Sequence, residues 1–153
     1  MFFQQNDIAP YFMGKGFRKC RKTGARILTL DEQVFQHTVE IVIGIEDDAR
    51  MCEYLKIHHG SSHKPDSGSW AGQTLIVDDV QNTVFVFLND FDLTPYWLGV
   101  LTHELFHAVH MVFDQIGLPA LEKGGQESHA YLLQWLSQKF LQAFLSDPRA
   151  IKR

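Results

Sequence analysis

Cysteine is scarce in this chain of 153 residues: Cys20 and Cys52 stand 32 positions apart, and no CxxC or CxxxC pair occurs. That excludes a thioredoxin-type redox motif and a thiolate zinc site, and makes a reducing compartment the natural setting. Long apolar runs are also lacking. No stretch of 18 apolar residues exists, so no helix of membrane-spanning length is expected and no membrane partner is implied. The opening MFFQQNDIAPYF has neither a basic region followed by an apolar stretch nor a small-residue cleavage site, the parts of a secretory leader. A cytoplasmic protein is the expectation.

What is present is enough to fold. Apolar residues make up 45% of the chain and 12 phenylalanines stand among its aromatics, far from the polar, highly charged composition of a disordered segment. The length suits a single domain spanning 1–153.

The net charge of −4 is unevenly spread. Lys15, Arg18, Lys19, Arg21, Lys22 and Arg26 place six positive charges and no acid within twelve residues, which leaves −10 on the remainder. Residues 1–26 mix these cations with aromatics and glycine without a sustained period, and read as an irregular basic arm or a short docked strand. A solvated surface loop accounts for the charges; the functional alternative is an arm for nucleic acid or another acidic partner through 15–26. Phe17 is the only aromatic interleaved with them, so no stacking platform for bases is evident.

Periodicity supplies the rest. TVEIVIGI, 38–45, is β-branched and apolar and reads as a strand. Asp47 and Asp48 follow where a helix N-cap and first turn favour carboxylates, predicting a helix over 47–58. HHGSSHKPDSGSWAG is rich in Gly, Ser and Pro and reads as a connection, its histidines as surface decoration. QTLIV at 73–77 and TVFVFL at 83–88 predict two paired strands, the first an edge and the second more interior. A long helix is predicted from Thr94 to Ile116, capped by Thr94, opened by Pro95 and closed before Gly117 and Pro119. A last helix, about 126–145, buries Leu132, Trp135, Leu136, Phe140 and Phe144. This order predicts an α+β domain: a small mixed or antiparallel sheet packed on two long helices.

The long helix contains His103-Glu104-Leu105-Phe106-His107, the HExxH pattern. Residues four apart differ by about 40° around a helix and one turn in height, so both imidazoles can converge on one ion. Glu104, about 100° from His103, is placed beside such an ion, where a general base for water belongs. A catalytic zinc site wants a third protein ligand and an open position. Glu127, at the start of the last helix behind Gly124-Gly125, is the preferred candidate, because an αα-hairpin can fold it back against the histidines. His110, Asp114 and His129 are rivals. Tyr131, one turn beyond Glu127, is a candidate hydrogen-bond donor to a developing oxyanion, or simply a core tyrosine. Two histidines and a carboxylate also suit iron(II).

At these residues the chain resembles the zincin metallopeptidases, and within them the gluzincins, in which a glutamate is the third ligand. THELFH at 102–107 and the spacing to Glu127 match that arrangement; the acidic motif usual around the third ligand is not reproduced by ESHAYLL. THELFHAVH followed by ESHAYLL is more closely similar to small zincin-like proteins of bacteriophages and prophages, with Glu127, Ala130 and Tyr131 in the second pattern. The likeness covers about thirty residues. It implies a minimal zincin-like fold, Zn2+ held by His103, His107 and Glu127, and a metallopeptidase that hydrolyses peptide bonds with a metal-activated water and Glu104 as base. It also implies a peptide or protein substrate read by a sheet edge, in a bacterial or phage-infected cell. Two other functions remain open from the sequence: a non-catalytic, zinc-stabilised module that binds a protein, and a nucleic-acid-associated protein using the basic arm.

Overall fold

A computed structural model describes residues 16–66, 68–118 and 125–147. Five strands and three helices follow in the order β1 (Arg18–Lys19), β2 (Arg26–Glu32), β3 (His37–Ile43), α1 (Asp48–His59), β4 (Gly72–Val77), β5 (Val80–Leu88), α2 (Pro95–Gln115) and α3 (Gly125–Ser146). The fold is α+β, with a mixed five-stranded sheet ordered β1-β2-β3-β5-β4. Pairing is antiparallel except at the centre, where β3 and β5 run parallel with Thr38 opposite Thr83 and Ile43 opposite Leu88.

Alternation along the strands divides the apolar residues between two faces. Leu28 and Leu30, Val39, Ile41 and Ile43, and Val84, Val86 and Leu88 face α2 and α3, meeting Leu101, Leu105, Val109, Leu132, Leu136 and Phe140. Ile27, Val42, Phe85 and Phe87 face the other way, against Met51, Tyr54 and Leu55 of α1. β5 is therefore buried on both sides, which is why TVFVFL reads as nearly unbroken apolar sequence.

The termini of the elements have local causes. Asp47 caps α1, its carboxylate accepting from the Arg50 N–H at 2.8 Å, and Gly60 closes the helix in the left-handed region at φ 65°. Gly44, at φ 97°, ends β3 two residues before the expected strand end. Thr94 occupies the N-cap position of α2, but its side chain makes no capping bond; the turn is tied instead by Asp92, which accepts from the Thr94 N–H at 2.8 Å. The connection from β4 to β5 shrinks to Asp78-Asp79, so β5 starts three residues earlier than its apolar run.

β2 is the element that periodicity did not announce, and with β1 it revises the expected irregular arm. Residues 18–32 form a hairpin; residues 1–15, including Lys15, lie outside the described residues. Its turn is closed by Cys20 N–H to Ala25 O at 2.8 Å and Gly24 N–H to Cys20 O at 2.9 Å. Among the described residues no helix is long and apolar enough to cross a membrane.

Candidate metal and catalytic site

α2 lies across β4 and β5 and runs alongside α3. Its apolar stripe, Leu101, Leu105, Ala108, Val109 and Val112, turns into the core. That leaves His103 and His107 exposed on the rim and Glu104 buried, 6% accessible, at the border with β4. The imidazoles stand edge to face with centroids 4.7 Å apart, and their Nε2 atoms are 3.1 Å from one another.

Glu104 is fixed by the edge strand. Thr74 Oγ1 donates to Glu104 Oε2 at 2.6 Å and lies 3.0 Å from the same residue's carbonyl oxygen. The adjoining Gly72 makes this approach possible: a β-carbon there would stand 2.7 Å from Glu104 Cγ and 3.1 Å from Cδ and Oε1. Neither residue is marked by any sequence motif. Their part arises from a contact between elements thirty residues apart, which no local period encodes.

A cleft of about 450 Å³ opens beside this pair, lined by Ala71, Gly72, Tyr96, Gly99, Val100, His103 and Glu104. β4 borders it and is an edge of the sheet, as expected from the weaker apolar character of 73–77. Gly99, by contrast with Gly72, has nothing within 4 Å of a hypothetical β-carbon, so packing does not require it.

The remaining candidates lie further along. α3 returns antiparallel to α2: His129 stacks on Phe113, with centroids 3.9 Å apart, and sits 5.5 Å from the His110 ring, while Phe140 and Phe144 reach Phe91, just ahead of α2. Glu127, in the first turn of α3 and exposed, is thus set toward the end of α2, on the order of 10 Å along the helix axes from His107 at 1.5 Å per residue. The structure brings His103, Glu104 and His107 together and does not bring Glu127 to them. Among the described residues no group of three or more His, Cys, Asp or Glu side chains is arranged to hold a metal ion. Tyr131 is 53% exposed on α3, so the core-tyrosine alternative does not apply. Asp114 is exposed. His129 donates from Nδ1 to the Gly125 carbonyl at 2.7 Å, leaving Nε2 an unpartnered buried acceptor.

Two corners of a metal site fit the donors present. Across a tetrahedral zinc with Zn–N of 2.0–2.1 Å, two imidazole nitrogens are about 3.3–3.4 Å apart, close to the 3.1 Å observed.

Two of the three histidines expected to decorate a loop do otherwise, while His63 stays in the connection. His58 and His59 belong to the last turn of α1. His58 Nε2 is 3.1 Å from Cys20 Sγ, and His59 Nε2 is 2.8 Å from Oε1 of the buried Glu40, which also accepts from Tyr54 at 2.5 Å and faces Arg18 at 3.7 Å. Burial pushes the Glu40 carboxyl up, but the bonds from His59 and Tyr54, with the charges of His59 and Arg18, outweigh it and hold the group below its ordinary value. Burial and the nearby Arg18 press His58 below its own. This cluster lies on the α1 face, away from α2. Comparison with protein-family models, curated proteins and solved structures found no significant match.

Proposed function

We propose that this chain is a zinc-dependent metallopeptidase with a minimal zincin-like fold, acting on peptide or protein substrates. The observation that carries the proposal is the convergence of His103 and His107 to 3.1 Å within the same turn that buries Glu104 against an edge strand. His103 and His107 would hold the ion; Glu127, set on the order of 10 Å from His107 along the helix axes, is the proposed third ligand and would have to close on them by a movement of the start of α3. Because α3 packs with that residue beside the end of α2, its part is the component most sharply exposed to test. Zinc in such a place supplies a Lewis acid that polarises a peptide carbonyl and makes water a usable nucleophile near neutral pH.

The chain's own residues do the rest. Thr74 occupies Oε2 of Glu104, so Oε1 is the oxygen left to take a proton from the attacking water and pass it to the departing nitrogen. β4, an edge of the sheet, offers main-chain hydrogen bonds to an extended peptide. The cleft beside Glu104 receives one of that peptide's side chains.

Elemental analysis of the purified protein beside His103→Ala and Glu127→Ala variants tests this reading. About one zinc per chain, lost in both variants, is the expected result; zinc kept without Glu127 reassigns the third ligand. No zinc in any form, even after it is supplied, defeats the proposal. Glu104→Gln should retain the metal and lose cleavage of a peptide library by about 10²–10⁴-fold.

A further inference from the structure

The cations of the first hairpin are not consumed by the fold. Arg26 is: its guanidinium lies over Phe17 and Phe144 at 5.8 and 5.5 Å from their centroids. Arg18 touches Glu40 at 3.7 Å yet keeps a side chain 57% accessible. Lys19, Arg21 and Lys22 are exposed, and among the described residues no carboxylate pairs with them within salt-bridge distance. The acids of β2, Asp31 and Glu32, stand at its other end, about 17 Å from Arg26 at 3.3 Å per residue.

The carrier of these charges is held firmly. Besides its two closing backbone bonds, the turn is anchored to α1 by Cys20 and His58, 3.1 Å apart, and internally by Thr23 N–H to Cys20 Sγ at 3.5 Å. Two cations on so short an edge strand already discourage pairing with another sheet. Arg21 and Lys22 lie on the turn, off that edge, and edge protection does not account for them.

We propose that this hairpin is a docking surface for the phosphate backbone of duplex nucleic acid. A rigid tip with four accessible cations, on a chain whose net charge is −4, fits a dense array of phosphates. Among the described residues no exposed aromatic accompanies the cations, since Phe17 is half-buried and packed edge-on to Phe140 with centroids 5.6 Å apart. The hairpin itself is therefore suited to phosphates and not to unstacked bases, and its contact carries no sequence preference. β1 and β4 are opposite edges of the sheet, separated by four interstrand steps or about 19 Å, so the hairpin can be occupied while the cleft beside Glu104 stays open.

Fluorescence anisotropy with a labelled 20-base-pair DNA duplex, titrated with salt from about 50 to 200 mM, tests the proposal. Four phosphate contacts predict a slope of log affinity on log salt between about −3 and −4, and Lys22→Gln should reduce its magnitude by about 0.9. The combined Lys19→Gln, Arg21→Gln, Lys22→Gln variant, which leaves the Arg18 contact with Glu40 in place, should lose binding at least tenfold while keeping the thermal transition of the unaltered protein. If that variant unfolds, the single Arg21→Gln and Lys22→Gln proteins decide by their slopes. Binding that ignores salt, unchanged slopes in these variants, or a preference for polyglutamate or phosphatidylserine vesicles over the duplex overturns it. Glu104→Gln should bind the duplex as the unaltered protein does, so failure here is distinguishable from failure of the peptidase reading.

Discussion

Thr74 on the edge strand donates to Oε2 of Glu104 on α2 at 2.6 Å, so the strand proposed to read a peptide also holds the carboxylate proposed to act on it. Thr74→Val keeps the shape and removes the donor. A buried carboxylate oxygen then loses its partner, at a cost of about 1–3 kcal/mol, and Glu104 is free to swing. Peptide cleavage should fall by as much as about 10²-fold, with metal content unchanged and Thr74→Ser restoring the rate. A full rate in Thr74→Val would show that Glu104 needs no such support.

Gly72 should be intolerant of even one methyl group. With a β-carbon 2.7 Å from Glu104 Cγ, either the strand or the glutamate must move, and overpacking of this kind costs about 1–3 kcal/mol. Calorimetry of Gly72→Ala should show a lowered melting temperature; an unchanged one would mean that Glu104 has another place to go.

Gly99 should behave in the opposite way. Replacing a helical glycine with a better helix former gains about 0.8–1 kcal/mol, and the space is empty, so Gly99→Leu should raise stability. The same side chain fills the cleft beside His103 and Glu104. Cleavage of peptides with bulky residues near the scissile bond should therefore fall relative to peptides with small ones, which a paired-peptide assay measures. Equal loss for both would argue against side-chain recognition there.

Acid should destabilise the fold in two stages. His58 binds its proton less readily folded than unfolded, so stability should begin to fall as pH drops below about 6.5, the ordinary histidine value. Glu40, held below its ordinary 4.5, contributes stability that is present above that value and is lost as pH falls through its folded one. Melting temperatures of His58→Gln and Glu40→Gln against pH should lose the upper and the lower stage respectively.

The helices and three of the strands were legible because their apolar residues recur at 3.6 or 2 residues, or run unbroken as in β5. The β1–β2 hairpin was not, since a run of cations with Gly24 leads into it and the adjacent Ile27 and Leu28, buried on opposite faces of the sheet, break the alternation that Leu30 continues. His103, Glu104 and His107 were legible because one helix turn sets their spacing. The relation of Glu127 to them depends on how α3 slides along α2, which no period within either helix fixes. Thr74 and Gly72 lay beyond sequence reading because a strand and a helix meet there only through the sheet.

The parallel seam between β3 and β5 has a consequence in time. The β2–β3 and β4–β5 hairpins each close over a short turn, but Thr38 meets Thr83 across 45 residues, and α1 must first be led over the sheet. Loop closure of that length is costly before it is rewarded, and mixed sheets with such contacts assemble more slowly than helical bundles. The two hairpins should therefore order early and the seam should be the slow step. The basic turn and the HExxH helix thus belong to halves of the chain that each gain local order first, and the union of those halves sets the pace of folding.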